Sequence, residues 1–582
     1  MGTIVTSEAK CRDCYKCIRY CPVKAIGINE EQAWVVEEKC ILCGKCVEVC
    51  PQNAKSTVSY LSEFTDYLAE ESQVVVSLAP SYLAATPYST PWKLVAGLKE
   101  LGVDLVEETA LGAEIISREY QRFFKNKSHE PLISSCCPTI VRLVERYYPE
   151  LVDSVAPLIS PMIAHARKIK QEKGKDTRVV FIGPCFSKKD EPDWQDKDNP
   201  VDLVLDFQEI INYFEKSGIN PEMLEDRYPD LPSKMARLYP LEGGILEVSG
   251  IDNRVGEVIS VSGVDEAMEV FEDMVKGLIN PRFVEALACK GGCIGGPAMA
   301  NDLGIATRRQ RISEFMNKLP DFFQETEEVP SGRVEDSEIK FPLTKEHSPD
   351  RFKSETPSEA EIREILALTG KVTPEDETNC GGCGYPSCRE KAIAVYQGLA
   401  KPEMCVPYMR EKAESLSHAV VDSSLNGIII VDEDMIIQEF NPAANRMFNR
   451  KGIKSKGKPL KTFIDPADYE YVRDNQEMIV NKFKEYEQYG LITRENIYPL
   501  EKYGVVIAII TDVTEEEKRK AEVDKMKEEA LNRASRVIRE QMKVAQEIAG
   551  LLGESTAETK ATLLELIEIM NTKEARVIGD QS

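Results

Sequence analysis

Short unbroken apolar runs mark the first half of the chain. "PLIS" at 131–134, "TRVVFIG" at 177–183 and "RFVEALA" at 282–288 are apolar stretches of strand length. The first leads into "TIVRLVERYY", which has a helical pattern. Continuous runs of this kind suit strands buried on both faces of a parallel sheet. Further on, "GIIIVDEDMIIQEF" places two β-like runs around an acidic turn, "NPAA" opens a helical pattern, and "GVVIAIITDV" reads as a closing strand. From residue 515, Val523, Met526, Ala530, Val537, Val544, Ile548 and Leu551 recur near a 3–4 spacing, which predicts a long helix able to pair as a parallel coiled coil or to pack on the preceding domain. A second amphipathic segment, "TKATLLELIEIMN", follows. Residues 320–375 are acidic and contain several prolines; they read as a linker with one helix at 358–369.

A length of 582 residues suggests several domains, and a hydrophobic content of 42% is ample for several cores. The formal charge is −25 and the basic residues are scattered, which argues against nucleic acid or an anionic membrane as a partner. No apolar run approaches the length of a membrane span and no signal core opens the chain, so a cytoplasmic location is expected. "MGTIVT" fits a myristoylation pattern only loosely. In a reducing compartment the 17 cysteines should serve metal or redox chemistry, not disulfides.

The cysteines sort by spacing. "CRDCYKCIRYCP" and "CILCGKCVEVCP" are two C-x2-C-x2-C-x3-C-P runs, the signature of a bacterial two-cluster ferredoxin. Three near thiolates hold one cubane and the fourth crosses over. Cys11, Cys14, Cys17 and Cys50 should therefore hold one [4Fe–4S] cluster, and Cys40, Cys43, Cys46 and Cys21 the other. Cys380, Cys383, Cys388 and Cys405 have a C-x2-C-x4-C-x16-C spacing. It resembles a small four-cysteine iron–sulfur domain of anaerobic electron-transfer proteins, with zinc as the alternative. The remaining five are Cys136, Cys137, Cys185, Cys289 and Cys293. All three groups end apolar runs, and the carboxyl edge of an open α/β sheet is where ligands bind. Four of the five would complete another cubane, leaving one spare.

"SSCCPTIV", "GPCFSKKDE" and "ACKGGCIGG" resemble the three cysteine signatures of the [FeFe] hydrogenase catalytic domain, over roughly residues 73–350. The resemblance implies a cubane on Cys137, Cys185, Cys289 and Cys293, joined through Cys293 to a diiron centre with CO, cyanide and a bridging dithiolate. It implies that Lys188 donates a hydrogen bond to an iron-bound cyanide and that Cys136 passes protons to the dithiolate. The plain alternative for Cys136 is a small buried apolar residue. Several positions depart from the family pattern. In the hydrogen-producing enzymes the proton route continues through glutamate, serine and glutamate; here Glu108 keeps the first glutamate position, but Leu111 and Ala156 stand at the second glutamate and the serine. Gly183 and Leu287 replace methionines, and the last motif lacks its third glycine. These changes imply slow catalysis.

Residues 415–514 resemble a PAS domain. With no histidine or cysteine inside it after His418, haem ligation is not expected, and dimerisation and relay without a cofactor are. The same lack of histidine excludes a histidine-kinase output. The expected architecture is a multidomain α/β chain: a ferredoxin module at 1–60, a two-lobed hydrogenase-type domain at 70–357, a four-cysteine module at 358–412, PAS at 415–514 and output helices at 515–582. The arrangement resembles the sensory branch of the [FeFe] hydrogenases. It implies reaction with H2 and protons, exchange of electrons with a partner such as ferredoxin, homodimerisation through PAS and coiled coil, and a downstream kinase or phosphatase. A non-catalytic iron–sulfur scaffold and a fast ferredoxin-linked hydrogenase are the competing readings.

Overall fold

The computed structural model describes residues 2–29, 32–126, 131–192, 199–233, 236–252, 257–316, 339–352, 355–552, 561–562 and 564–565. They fall into two units, 1–409 and 410–582.

The first unit begins with a ferredoxin module. Strands Ile4–Thr6 and Lys55–Thr57 pair antiparallel, as do Ile26–Asn29 and Gln32–Val35. Each cysteine run leads into a short helix, Lys16–Tyr20 or Lys45–Glu48, entered through a left-handed residue, Tyr15 or Gly44. Two parallel sheets follow. One has the order Leu105–Glu108, Val74–Leu78, Arg178–Gly183, Leu203–Asp206; the other runs Val258–Ser262, Phe283–Leu287, Leu132–Ile133. Their central strands are buried along their length apart from Arg178 at the start of one, as unbroken apolar runs require. Cys136, Cys185 and Cys289 lie just past the carboxyl ends of three of these strands.

The four-cysteine module is a pair of helices, Glu359–Ala367 and Cys388–Tyr396, packed through Ile362, Leu366 and Ala392. The first falls where a helix was expected, and Ser358 caps it. One apolar core joins this module to the ferredoxin and to the smaller sheet, through residues such as Ile18, Phe271, Val284, Tyr385 and Met404.

Part of the stretch expected to be linker is not one. Residues 339–352 form a strap on the larger domain: Ile159 N donates to Leu343 O (3.0 Å), Lys345 N to Pro157 O (3.1 Å) and Asp350 N to Glu145 O (2.9 Å). These bonds use backbone atoms, so no hydrophobic pattern announces them. Residues 317–338 and 353–354 lie outside the described residues.

The second unit holds a five-stranded antiparallel sheet in the order Ile437–Phe440, Gly427–Asp432, Val505–Asp512, Leu491–Leu500, Ile479–Tyr486. Asn441 caps the helix Pro442–Phe448. A 39-residue helix, Thr514–Leu552, leaves the sheet. Most of the second amphipathic segment lies outside the described residues.

Candidate functional site

Cys137, Cys185, Cys289 and Cys293 converge between the two sheets. Cys137 occupies the N-cap of helix Pro138–Tyr147, with Pro138 at its first turn, and the amides of Ala288, Thr139 and Ile140 point at its sulfur. Cys185 caps the short turn Phe186–Lys189 and receives the amides of Ser187 and Lys188. Burial pushes all four thiols up, Cys185 to about 11 and Cys293 to about 12. Without metal they are protonated, and iron must displace those protons on binding.

Two cavities meet at these thiols. One is lined by Cys43, Cys137, Cys185, Cys289 and Cys293. The other, of about 90 Å³, is lined by Cys136, Cys137, Cys185, Cys293 and Lys188, with Ser81, Thr109, Met162, Phe181, Tyr239 and Leu287 among its other walls. Cys137, Cys185 and Cys293 thus face both spaces, Cys289 only the first, and Cys136 and Lys188 only the second. Lys188 Nζ lies 2.5 Å from buried Glu191 and 3.4 Å from Cys136 O. Burial alone would pull its ammonium down, but Glu191 and the neighbouring thiols hold it above its ordinary value, so it stays a cation. Burial also keeps Cys136 a thiol.

The residues fit the group that the family pattern implies. The thiols are soft donors surrounding open space. Buried Ser81 Oγ has no hydrogen-bond partner and stands in the wall of the second cavity, where an anionic ligand would satisfy it. Sequence reasoning missed Ser81, Thr109 and Tyr239. Ser81 follows the buried strand Val74–Leu78, so the same carboxyl-edge rule could have found it. Gly183 needs no side chain because the Phe181 ring fills the space: a Cβ there would lie 2.7 Å from it.

Glu108 lines neither cavity. It has 0% exposure and accepts hydrogen bonds from Arg237 Nε (2.9 and 3.0 Å), Arg237 Nη2 (2.7 Å), Tyr82 Oη (2.7 Å) and Ser233 N (2.9 Å). In the fold it is the counter-ion of Arg237. Leu111 and Ala156 are buried and line neither cavity.

The other cysteine sets also gather. Cys43 lies among Cys21, Cys46 and Cys40, and Cys17 beside Cys14 and Cys11. Cys50, expected with the latter, has its thiol held by the amides of Ala54, Gln52 and Lys55. Cys380, Cys383, Cys388 and Cys405 line one cavity with Lys371 and Lys391. Lys371 Nζ is 3.2 Å from Cys405 Sγ. The Cys21/40/43/46 set adjoins each of the others: Cys43 shares a cavity with Cys289, Cys46 feels the charge of Cys17, and the buried Tyr385 hydroxyl feels both Cys383 and Cys21.

Residues 72–297 match the iron only hydrogenase large subunit, C-terminal domain; residues 3–51 match a 4Fe-4S dicluster domain, 376–407 an Fe-S cluster family and 415–483 a PAS domain. The chain therefore carries an iron-only hydrogenase-type domain beside iron–sulfur and PAS domains. It is 26% identical to Iron hydrogenase 1 of Clostridium pasteurianum over 39% of this chain, a match that spans only half (50%) of that protein's own length. It is 22% identical to a cytosolic Fe-S cluster assembly factor of Danio rerio, over 46% of this chain and 81% of that protein. Apo [FeFe]-hydrogenase HydA1 from Chlamydomonas reinhardtii aligns with 51% of this chain and 100% of its own, at 20% identity and a TM-score of 0.41. Among the described residues no helix is long and apolar enough to cross a membrane.

Proposed function

We propose that this chain is a sensory hydrogenase: it reacts slowly with H2 between its two sheets and passes the electrons to a signalling module. The observation that carries this is the pair of cavities sharing Cys137, Cys185 and Cys293, one completed by Cys289 and the other by Cys136 and Lys188. The first would hold a cubane and the second a diiron unit joined through Cys293. When bound, that group supplies the splitting of H2 into protons and electrons. The chain's own part is to bind the iron through four thiolates, to present the Lys188 cation and Ser81 Oγ to anionic ligands, and to keep water out with Met162, Phe181 and Leu287. Electrons would leave past Cys289 and Cys43 to the Cys21/40/43/46 cluster, then past Tyr385 to the cluster at 380–405, which precedes the PAS domain. From there a PAS dimer would signal to a kinase or phosphatase.

A second reading, an iron–sulfur scaffold without the diiron unit, is favoured by the likeness to the assembly factor. One experiment separates the two. The matured chain should show CO and cyanide infrared bands that shift under H2, and should contain about two iron atoms beyond the about sixteen of four cubanes. Absence of the bands with about sixteen iron atoms bound rejects the sensory hydrogenase and leaves the scaffold.

A further inference from the structure

The proton route expected from the family pattern lacks a proton carrier at Leu111 and Ala156, yet the cavity has another polar group in its wall. Thr109 lines it, and from Thr109 a chain of buried hydrogen bonds runs inward. Thr109 Oγ1 lies 2.7 Å from Ser77 Oγ, Ser77 Oγ lies 2.8 Å from His165 Nδ1, and His165 Nε2 lies 3.3 Å from Glu107 Oε2. Ser77 and His165 have 0% exposure, Glu107 2% and Thr109 5%. Beyond Glu107 stand Lys168 and Lys173, with Lys168 bonded to Glu172 at 2.6 Å and the Glu172 side chain 36% exposed.

We propose that Thr109, Ser77, His165 and Glu107 form a proton wire between the cavity beside Cys136 and Lys188 and the charged surface at Lys168 and Glu172. The proposal rests on the reading that H2 is split in that cavity. A proton released there binds Thr109 Oγ1 as the Thr109 hydroxyl proton moves to Ser77 Oγ. The Ser77 proton passes to His165 Nδ1, and the proton on His165 Nε2 passes to Glu107. Thr109 Oγ1 and Ser77 Oγ each gain one proton and lose one, His165 gains one at Nδ1 and loses one at Nε2, and the net result is one proton moved from cavity to Glu107, with hydroxyls and ring reset afterwards. Reversed, the same links bring a proton in.

Three features favour a wire over filler. Ser77 is a hydroxyl inside the buried strand sequence "VVVSL", where a polar group is costly unless paired at both ends. His165 is brought close by the crossing of helices Ala110–Asn126 and Pro161–Lys173 at Gly112, where a Cβ would sit 2.1 Å from Pro161 O and 2.9 Å from His165 N. Burial alone would raise the Glu107 carboxyl, but the bond to His165 and the charges of Lys168 and Lys173 hold it below its ordinary value, so it gives a proton up readily.

The test uses the matured full chain. Thr109→Val keeps the volume and removes the hydroxyl, Thr109→Ser keeps the hydroxyl, and Ser77→Ala cuts the next link. The readout is the relaxation of the CO infrared bands after a pH jump, checked by H2/D2O isotope exchange. T109V and S77A should slow relaxation by about tenfold or more, with T109S within about twofold of the parent and iron content and band positions unchanged in all three. Parental relaxation in T109V overturns the wire. Equal slowing in T109S and T109V overturns it too, because packing and not the hydroxyl would then matter. If the parent chain has no CO bands, it is the hydrogenase reading that fails, and the wire with it.

Discussion

Glu285 lies in the strand Phe283–Leu287 with 0% exposure, accepting Ile245 N at 3.1 Å and Ser260 Oγ at 3.0 Å. Burial pushes its carboxyl from 4.5 up to about 7. Between those values the folded chain holds a proton that the unfolded chain releases, so stability falls as pH rises through this window. Glu285→Gln should abolish that fall, worth roughly 3 kcal/mol between about pH 4.5 and 7. Thermal unfolding of parent and variant across that range measures it, and parallel curves would count against the assignment. Glu108 carries the same lesson for reading residues. In the sequence it stands at the first glutamate position of the family's proton route; in the fold it is held by Arg237, 129 positions away. Ionisable side chains take their role from partners that only folding supplies.

Among the elements, those with strong local patterns were legible and those held by backbone bonding were not. The buried strands, the capped helix Glu359–Ala367 and the helix from Thr514 follow from apolar spacing. The strap at 339–352 does not, and neither does the hairpin Ile479–Tyr486 with Leu491–Leu500, whose charged outer face hides the strand pattern. Docking of the four-cysteine module rests on Gly384, at φ +95°, where a Cβ would stand 3.1 Å from Arg19 N and 3.2 Å from Arg19 Cα of the ferredoxin helix. Gly384→Ala should cost about 1–2 kcal/mol in backbone strain and push the two modules apart. The expected reading is weakened magnetic coupling between the reduced clusters on either side of Tyr385, with iron content retained. Unchanged coupling would mean that the contact does not set their separation.

At the scale of the whole chain, the long helix presents Val523, Met526, Val537, Val544 and Ile548 exposed, an apolar stripe suited to a second copy. The full chain should sediment as a dimer and Val537→Lys should shift it towards monomer; a monomeric parent would remove the dimer from the proposed signalling route. The order of the ferredoxin, hydrogenase-type, four-cysteine and PAS modules was readable from residue order, because cysteine spacing and apolar period are local properties and act through the nearest turn of backbone. Neither the meeting of Cys137, Cys185, Cys289 and Cys293 around two cavities nor the central position of the Cys21/40/43/46 set is local. The same holds for the buried path from Thr109 to Glu107. Each joins side chains from distant segments, and their pairing acquires its strength only where packing excludes water.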